Sequence, residues 1–281
     1  MHDRGHDIVQ PPLRRADRPP RRGDLDGGRG AARVSPTSTA QTLDRRTTEL
    51  ATNLAGLIDR IDAACAAAGR DPGSVRLLPV TKFFPAADVE ILYSLGRREF
   101  GESREQEASA KVSELTRHPD IRWHMIGRLQ RNKAKSVARW AHTVHSVDSE
   151  RLATALDAGA AAALDAGDRD TALNVLIQVS LDADPSRGGV APDDVAALAD
   201  RIAEAPALRL SGLMAIPPLE VEPAAAFARL AAVHAELTAA HPGASELSAG
   251  MSGDLESAIE HGSTCVRVGT ALMGARPITS A

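Results

Sequence analysis

Two hydrophobic periods divide the chain. Leu43, Leu50, Leu54, Leu57, Ile58 and Ile61 recur at helical spacing. Residues 41–68 therefore read as one long amphipathic helix, ended by the turn signal GRDPG at 69–73. Beyond it, short apolar runs take turns with Ala-, Leu- and charge-rich segments. The runs are VRLLPV (75–80), REF (98–100), RWHMIG (122–127), HTVHSV (142–147), LNVLIQVSL (173–181), LRLSGLMAI (208–216), ELSA (246–249) and CVRVG (265–269). Segments such as AADVEILYSLG, SERLATALDAGAAAALDAG and PDDVAALADRIAEA between them read as helices. Strands alternating with helices imply parallel pairing through right-handed crossovers. Eight such units predict an α/β fold, a single closed (β/α)8 TIM barrel over residues 41–281.

Residues 1–40 break both periods. RRADRPPRRGDLDGGRG at 14–30 is built of Arg, Asp, Pro and Gly, with almost nothing to bury. Such a segment cannot offset its ordering entropy, so a disordered tail is expected ahead of the barrel. Its aspartates dilute the positive charge that a basic interaction arm would need.

Composition narrows the partners. The 281 residues carry a formal net charge of −4, which gives no basic field for nucleic acid or anionic lipid. Aromatic residues make up 2%, too few for base-stacking platforms. Cys65 and Cys265 lack metal-ligand spacing and fit a reducing cytoplasm. His118, His234, His241 and His261 form no metal-ligand pattern either. No apolar run has the length of a membrane span, and the N-terminus lacks the apolar core of a signal peptide. A cytoplasmic monomer without metal is the expectation.

In a barrel of this kind chemistry collects where strands run out into loops. Lys82 follows the first run, FGESREQE (100–107) the second, and WHMIGRLQRNK (123–133) spans the third. HSVDS (145–149) ends the fourth and Met214 lies near the end of the sixth. In AGMSGDLESAI, Gly250, Ser252 and Gly253 stand just ahead of a helix beginning near Asp254. Free N–H groups, a helix dipole and the serine hydroxyl there would suit an anion. RVGTALMG repeats the device after the eighth run, with Gly269 permitting close approach and Thr270 supplying a hydroxyl. Loops after strands seven and eight are the usual phosphate site of phosphate-binding barrels. Arg267 adds a second cation to that mouth.

Lys82 then has a reason to be there. A lysine at a partly apolar strand end, near another cation, becomes a nucleophilic amine able to form a Schiff base with an aldehyde. Two chemistries stay open on the residues alone: an aldolase-like Schiff base with a sugar phosphate, or bound pyridoxal phosphate. Glu102 reads as a loop carboxylate bonded to backbone groups, and the charges of GRLQRNK as a solvated face.

Taken together, VTKFFP, FGESREQE, WHMIGRLQRNK, HSVDS, LIQVSLD, SGLMAI and LSAGMSGDLESAIEHGSTCVRVGTALMG resemble the pyridoxal phosphate homeostasis family, over residues 45–276 in order. The resemblance implies a single-domain barrel like the N-terminal domain of alanine racemase, holding pyridoxal 5'-phosphate (PLP) as a Schiff base on Lys82. By the same resemblance Ser252, Gly253, Gly269 and Thr270 hold the phosphate, Arg267 faces the pyridine nitrogen, and Ser103 and Met214 line the ring pocket. Ser103 stands where the family usually has Asn, and Met125 where it has an aromatic residue.

A guanidinium at the pyridine nitrogen cannot accept its proton, which leaves the ring a poor electron sink. That favours a PLP carrier in vitamin B6 homeostasis, without significant turnover. An amino-acid racemase is the alternative; it needs acid–base groups on both faces of the ring. In alanine racemases, the resemblance implies, a tyrosine from a separate β-domain serves the second face. Tyr93, the only tyrosine here, falls in the helix after the first strand, and the sequence ends a few residues past the last motif. A third reading is an adaptor that docks on PLP-dependent apoenzymes through the GRLQRNK rim.

Overall fold

Eight parallel strands follow one another around a barrel, each returning through a helix on the outside. The computed structural model describes residues 36–182, 188–218 and 221–275. The strands are β1 (Arg76–Pro79), β2 (Glu99–Glu102), β3 (Arg122–Met125), β4 (Ala141–Val147), β5 (Leu173–Gln178), β6 (Leu208–Met214), β7 (Glu246–Ser248) and β8 (Cys265–Val268). Helix α1 (Pro36–Ala67) precedes them. Helices α2 (Ala86–Ser94), α3 (Glu105–Glu114), α4 (Ala134–Trp140), α5 (Glu150–Asp165), α6 (Val195–Ala203), α7 (Pro223–Ala240), α8 (Leu255–Glu260) and α9 (Thr270–Met273) follow β1 to β8 in turn.

The hydrogen-bonded order runs β1-β8-β7-β6-β5-β4-β3-β2. A parallel bridge between Val80 and Gly101 joins β1 to β2 and closes the ring, with the Thr81 N–H donating to the Gly101 carbonyl at 3.0 Å. The expected (β/α)8 barrel is the observed fold, and each of the eight apolar runs supplies its strand. REF extends through Glu102, because Glu102 itself is fully buried at the strand's exit.

The division at residue 40 coincides with the boundary between the chain's two units, Met1–Ala40 and Gln41–Ala281, although helix α1 reaches back across it. Helix α1 begins at Pro36, so 36–40 are helical. Proline suits a first helical turn, where its missing N–H costs nothing. Residues 1–35 lie outside the described residues.

Helix α1 matters to the site because it braces the barrel's last two loops. Its buried face of Leu50, Leu54, Leu57 and Ile61 joins Leu255, Ile259, Leu272 and Met273 in one apolar cluster. Polar tethers reinforce the contact. Asn53 donates to the Leu272 carbonyl at 2.9 Å, and Arg60 donates to the Ser252 carbonyl at 3.3 Å while pairing with Glu256 at 2.7 Å. Arg46 grips Asp88 with two hydrogen bonds of 3.2 and 2.8 Å and donates to the Met273 carbonyl at 3.0 Å.

Asp88 is 6% exposed, so its carboxylate depends on that grip. Arg46→Ala should lower unfolding stability by roughly 1–3 kcal/mol in a denaturant titration, because a buried carboxylate loses its cation. The double change with Asp88→Ala should cost less than the sum of the two single changes. Additive effects would mean that the two side chains do not depend on each other.

Candidate functional site

The polar exits of the strands converge on one cavity of about 430 Å³. Lys82, Ser103, Ser252, Gly253, Arg267, Gly269 and Thr270 all line it, joined by Phe84, Gln178 and Ile216. Its volume is that of an ordinary small-molecule cleft.

Lys82 stands just past β1, on a turn that the backbone does not adopt cheaply. Phe83 has φ 70°, the one non-glycine residue in the left-handed region among the described residues. Such a conformation costs on the order of 1–3 kcal/mol and persists only where its surroundings enforce it. Here they do. The Thr81 hydroxyl donates to Glu102 Oε1 at 2.6 Å, and buried Lys111 donates to the same oxygen at 2.6 Å and to the Thr81 carbonyl at 2.7 Å. Burial pushes the Glu102 carboxyl up from its usual range, opposed by Lys111 and Thr81. Glu102 is therefore no backbone-bonded loop residue: together with Lys111 it clamps the residue just before Lys82.

Arg267 is only 4% exposed and has no carboxylate at ion-pair distance among the described residues. It is solvated by oxygens instead. Nη1 donates to the Ser248 carbonyl at 2.6 Å and the Ser248 hydroxyl at 2.9 Å, and Nη2 to the Ala215 carbonyl at 2.9 Å. Burial lowers its pKa from the ordinary arginine value, with Cys265 and Asp254 opposing. Arg267 thus brings a buried positive charge to the site with no carboxylate at ion-pair distance among the described residues.

The glycine loops line the same cavity as Lys82. The Ser252 hydroxyl accepts from the Ala271 N–H at 3.3 Å and so ties the loop after β7 to the loop after β8. The N–H groups of Ser252, Gly253 and Gly269 have no partner among the described residues. The glycines divide by role. Gly250 has φ +93°, and a Cβ there would meet Ala258 at 2.6 Å, so the fold itself requires it. A Cβ on Gly253 would meet nothing within 4 Å, and one on Gly269 only Val80 at 3.6 Å. Neither has a positive φ. Nothing in the protein needs those two to be glycine; a ligand lying against the backbone would.

Met214, expected to line the pocket, does not. It is 1% exposed at the end of β6, and Ile216, two residues further on, forms that wall. Gln178 went unread, although a lone amide closing the apolar run LNVLIQ was a signal for it. A larger open groove of about 1210 Å³ lies beside the cavity, sharing Ser103 and Arg128 and bordered by Arg131 and Lys133 of GRLQRNK. Lys133 pairs there with Glu105 at 3.3 Å. The groove lacks both Lys82 and the glycine loops, so the chemistry belongs to the smaller cavity. Among the described residues no cluster of His, Cys, Asp and Glu could hold a metal, and no helix is long and apolar enough to cross a membrane.

Comparison with known proteins agrees with this geometry. The model of the alanine racemase N-terminal domain family matches residues 53–277. A pyridoxal phosphate homeostasis protein of Mycobacterium tuberculosis is 54% identical over 247 residues, 84% of this chain and 96% of the relative. One of Escherichia coli K12 is 40% identical over 233 residues, 81% of this chain and 97% of the relative. Among solved structures, PipY of Synechococcus elongatus with PLP bound superposes with a TM-score of 0.69 at 37% identity, covering 80% of this chain and all of PipY.

The open space at Gly253 makes a direct test. Gly253→Ala should leave the melting curve within about 0.5 kcal/mol of wild type, as for a change that meets no neighbour. Binding of inorganic phosphate, followed by calorimetry, should weaken severalfold. Unchanged phosphate binding would place the anion elsewhere.

Proposed function

The chain belongs to the pyridoxal phosphate homeostasis protein family, and from that premise we propose that it binds PLP through a Schiff base on Lys82 and acts in vitamin B6 homeostasis without physiologically significant turnover. The observation that carries this reading is the pairing of Lys82 with an anion-ready cavity. The cavity is lined by a strand-exit lysine, by two loops whose N–H groups have no partner among the described residues, and by a buried arginine with no carboxylate at ion-pair distance among those residues. The residues fit the cofactor's parts. Ser252, Gly253, Gly269 and Thr270 hold the phosphate, Arg267 faces the pyridine ring, and Ser103 borders the ring's edge.

When bound, PLP supplies an electrophilic carbon and an electron-withdrawing ring. The protein's own groups are set to hold it and do little more. Arg267 is a donor only, so it leaves the ring nitrogen unprotonated. Among the described residues no His, Tyr, Cys, Asp or Glu side chain lines the space, so Lys82 supplies its one nucleophilic amine. Tyr93, the one tyrosine of the chain, is on α2 with its hydroxyl donated to Asp120 at 2.7 Å. The racemase alternative needs a second acid–base group and finds none here. Cytoplasmic location, a monomeric state and delivery to PLP-dependent apoenzymes belong to the same proposal.

The decisive experiment is borohydride reduction of the protein as purified, followed by peptide mapping. The pyridoxyl adduct is expected on the peptide containing Lys82. Recovery on Lys111, Lys133 or Lys135 would overturn the assignment.

Amino-acid turnover tests the second half. A screen of L- and D-amino acids is expected to give rates at least 10²–10⁴ below the roughly 10 s⁻¹ of a median enzyme, the usual cost of one missing acid–base partner. Racemisation near the median rate would promote the racemase reading.

A further inference from the structure

Behind Arg267 a chain of buried hydrogen bonds crosses the barrel interior, and its members do not line the cavity. Ser248 Oγ, which accepts from Arg267 Nη1 at 2.9 Å, is 3.0 Å from His145 Nδ1. His145 Nε2 is 2.9 Å from His124 Nδ1. His124 Nε2 faces Glu99 Oε2 at 3.7 Å, and neither of these two buried atoms has a hydrogen-bond partner. Glu99 is held in turn by Arg76 at 2.9 Å and Arg122 at 3.5 Å. Ser248 and His145 are fully buried and His124 is 1% exposed.

Both ends dictate which way the protons point. A guanidinium only donates, so Ser248 Oγ must accept from it. The serine proton then needs an acceptor, and the one on offer is His145 Nδ1. His145 therefore carries its proton on Nε2 and donates to His124 Nδ1. That leaves the His124 proton on Nε2, 3.7 Å from Glu99 Oε2 and outside hydrogen-bond distance of it. The reverse polarity would strand a buried serine proton at one end and set a lone pair against Glu99 at the other. Burial lowers both imidazoles well below their usual range, with neighbouring cationic groups adding to it, so both rings are neutral.

We propose that Ser248, His145 and His124 are positioning residues that fix the Arg267 guanidinium toward the cavity by a hydrogen-bond chain of single polarity. Because the chain ends on a donor that cannot give up its proton, it orients the cavity's arginine without delivering protons to it. Histidines inside the barrel would otherwise invite an acid–base role; here their place is structural support for a fixed charge.

The chain's polarity is tested without any cofactor. In the full-length protein labelled with ¹⁵N-histidine, long-range proton–nitrogen spectra distinguish the two tautomers, and His124→Gln and His145→Asn assign the signals. Both rings are expected as Nε2–H tautomers from neutral pH downward until the protein unfolds. An Nδ1–H tautomer or a doubly protonated ring at neutral pH would overturn the proposal.

The positioning role rests on the PLP reading and has its own readout, the absorbance spectrum of bound PLP. Loss of one hydrogen bond to a charged group, partly transmitted, should weaken PLP binding roughly three- to tenfold in Ser248→Ala and His145→Leu and shift the visible maximum in both. His145→Asn, whose amide oxygen replaces Nδ1 as acceptor, should restore affinity to within about twofold of wild type and return the spectrum. Unchanged spectrum and affinity in a folded Ser248→Ala protein would overturn the proposal, as would equal damage from His145→Leu and His145→Asn. Should His145→Leu not fold, Ser248→Ala decides, since it removes one oxygen. A wild-type protein that binds no PLP would sink the cofactor reading, while the tautomer measurement would still decide the chain.

Discussion

A guanidinium inside a barrel has to be solvated by something, and that requirement at Arg267 organises the rest of the site. Moving such a cation out of water costs several kcal/mol even after relaxation. Among the described residues no carboxylate is placed at ion-pair distance to offset it. The charge is met by carbonyls at the exits of β6 and β7 and by one serine hydroxyl. The parallel register supplies those partners: Met214 at the end of β6 pairs with Ser248 at the end of β7, and Ser248 pairs with Cys265 on β8, two residues before Arg267. The arginine is thereby rigid and still electrostatically unsatisfied. An anionic or electron-rich ligand in the cavity completes its environment in a way that the protein does not.

The same division runs through the loops. Some features serve the fold whether or not a ligand is present: Gly250 with its positive φ, the Arg46–Asp88 grip, and the apolar face of α1 behind α8 and α9. Others are not required by the fold, namely Gly253 beside open space, Gly269 with room for a Cβ at ordinary contact with Val80, and N–H groups without acceptors among the described residues. Lys82 lies on the boundary. Its turn is strained at Phe83 and held by the buried Glu102–Lys111 pair, so stability is spent on aiming one amine.

How much of this was legible depended on whether the partners were close in sequence. The eight strands were readable because apolar runs and helical segments alternate, each detectable in a short window. The glycine loops were readable because their chemistry is contained in five or six consecutive residues. The Glu102–Lys111 clamp was not, since it depends on α3 folding back over the end of β2. His124 and His145 are 21 residues apart, on adjacent strands, and meet Ser248 from a third strand another 103 residues on. A hint existed, for both histidines fall within runs that read as strands, but their partners could be named only from the topology. Met214 shows the opposite error: two residues along a strand change the depth in a barrel while keeping the face.

Two cation systems therefore meet at the cavity with opposite protonation behaviour, and their pairing is the physical case for a holder over a catalyst. Lys82 can lose a proton and become a nucleophile; Arg267 cannot. A site meant to drive carbanion chemistry would place an acid at the ring and a base on each face of the substrate. Among the described residues this cavity is lined by Lys82 and Arg267 and by no His, Tyr, Cys, Asp or Glu, and the histidines of the proposed chain lie behind Arg267, lowered well below their usual range by burial. Such an arrangement favours reversible capture of an aldehyde with an anionic tail, because capture needs one amine and one anion site.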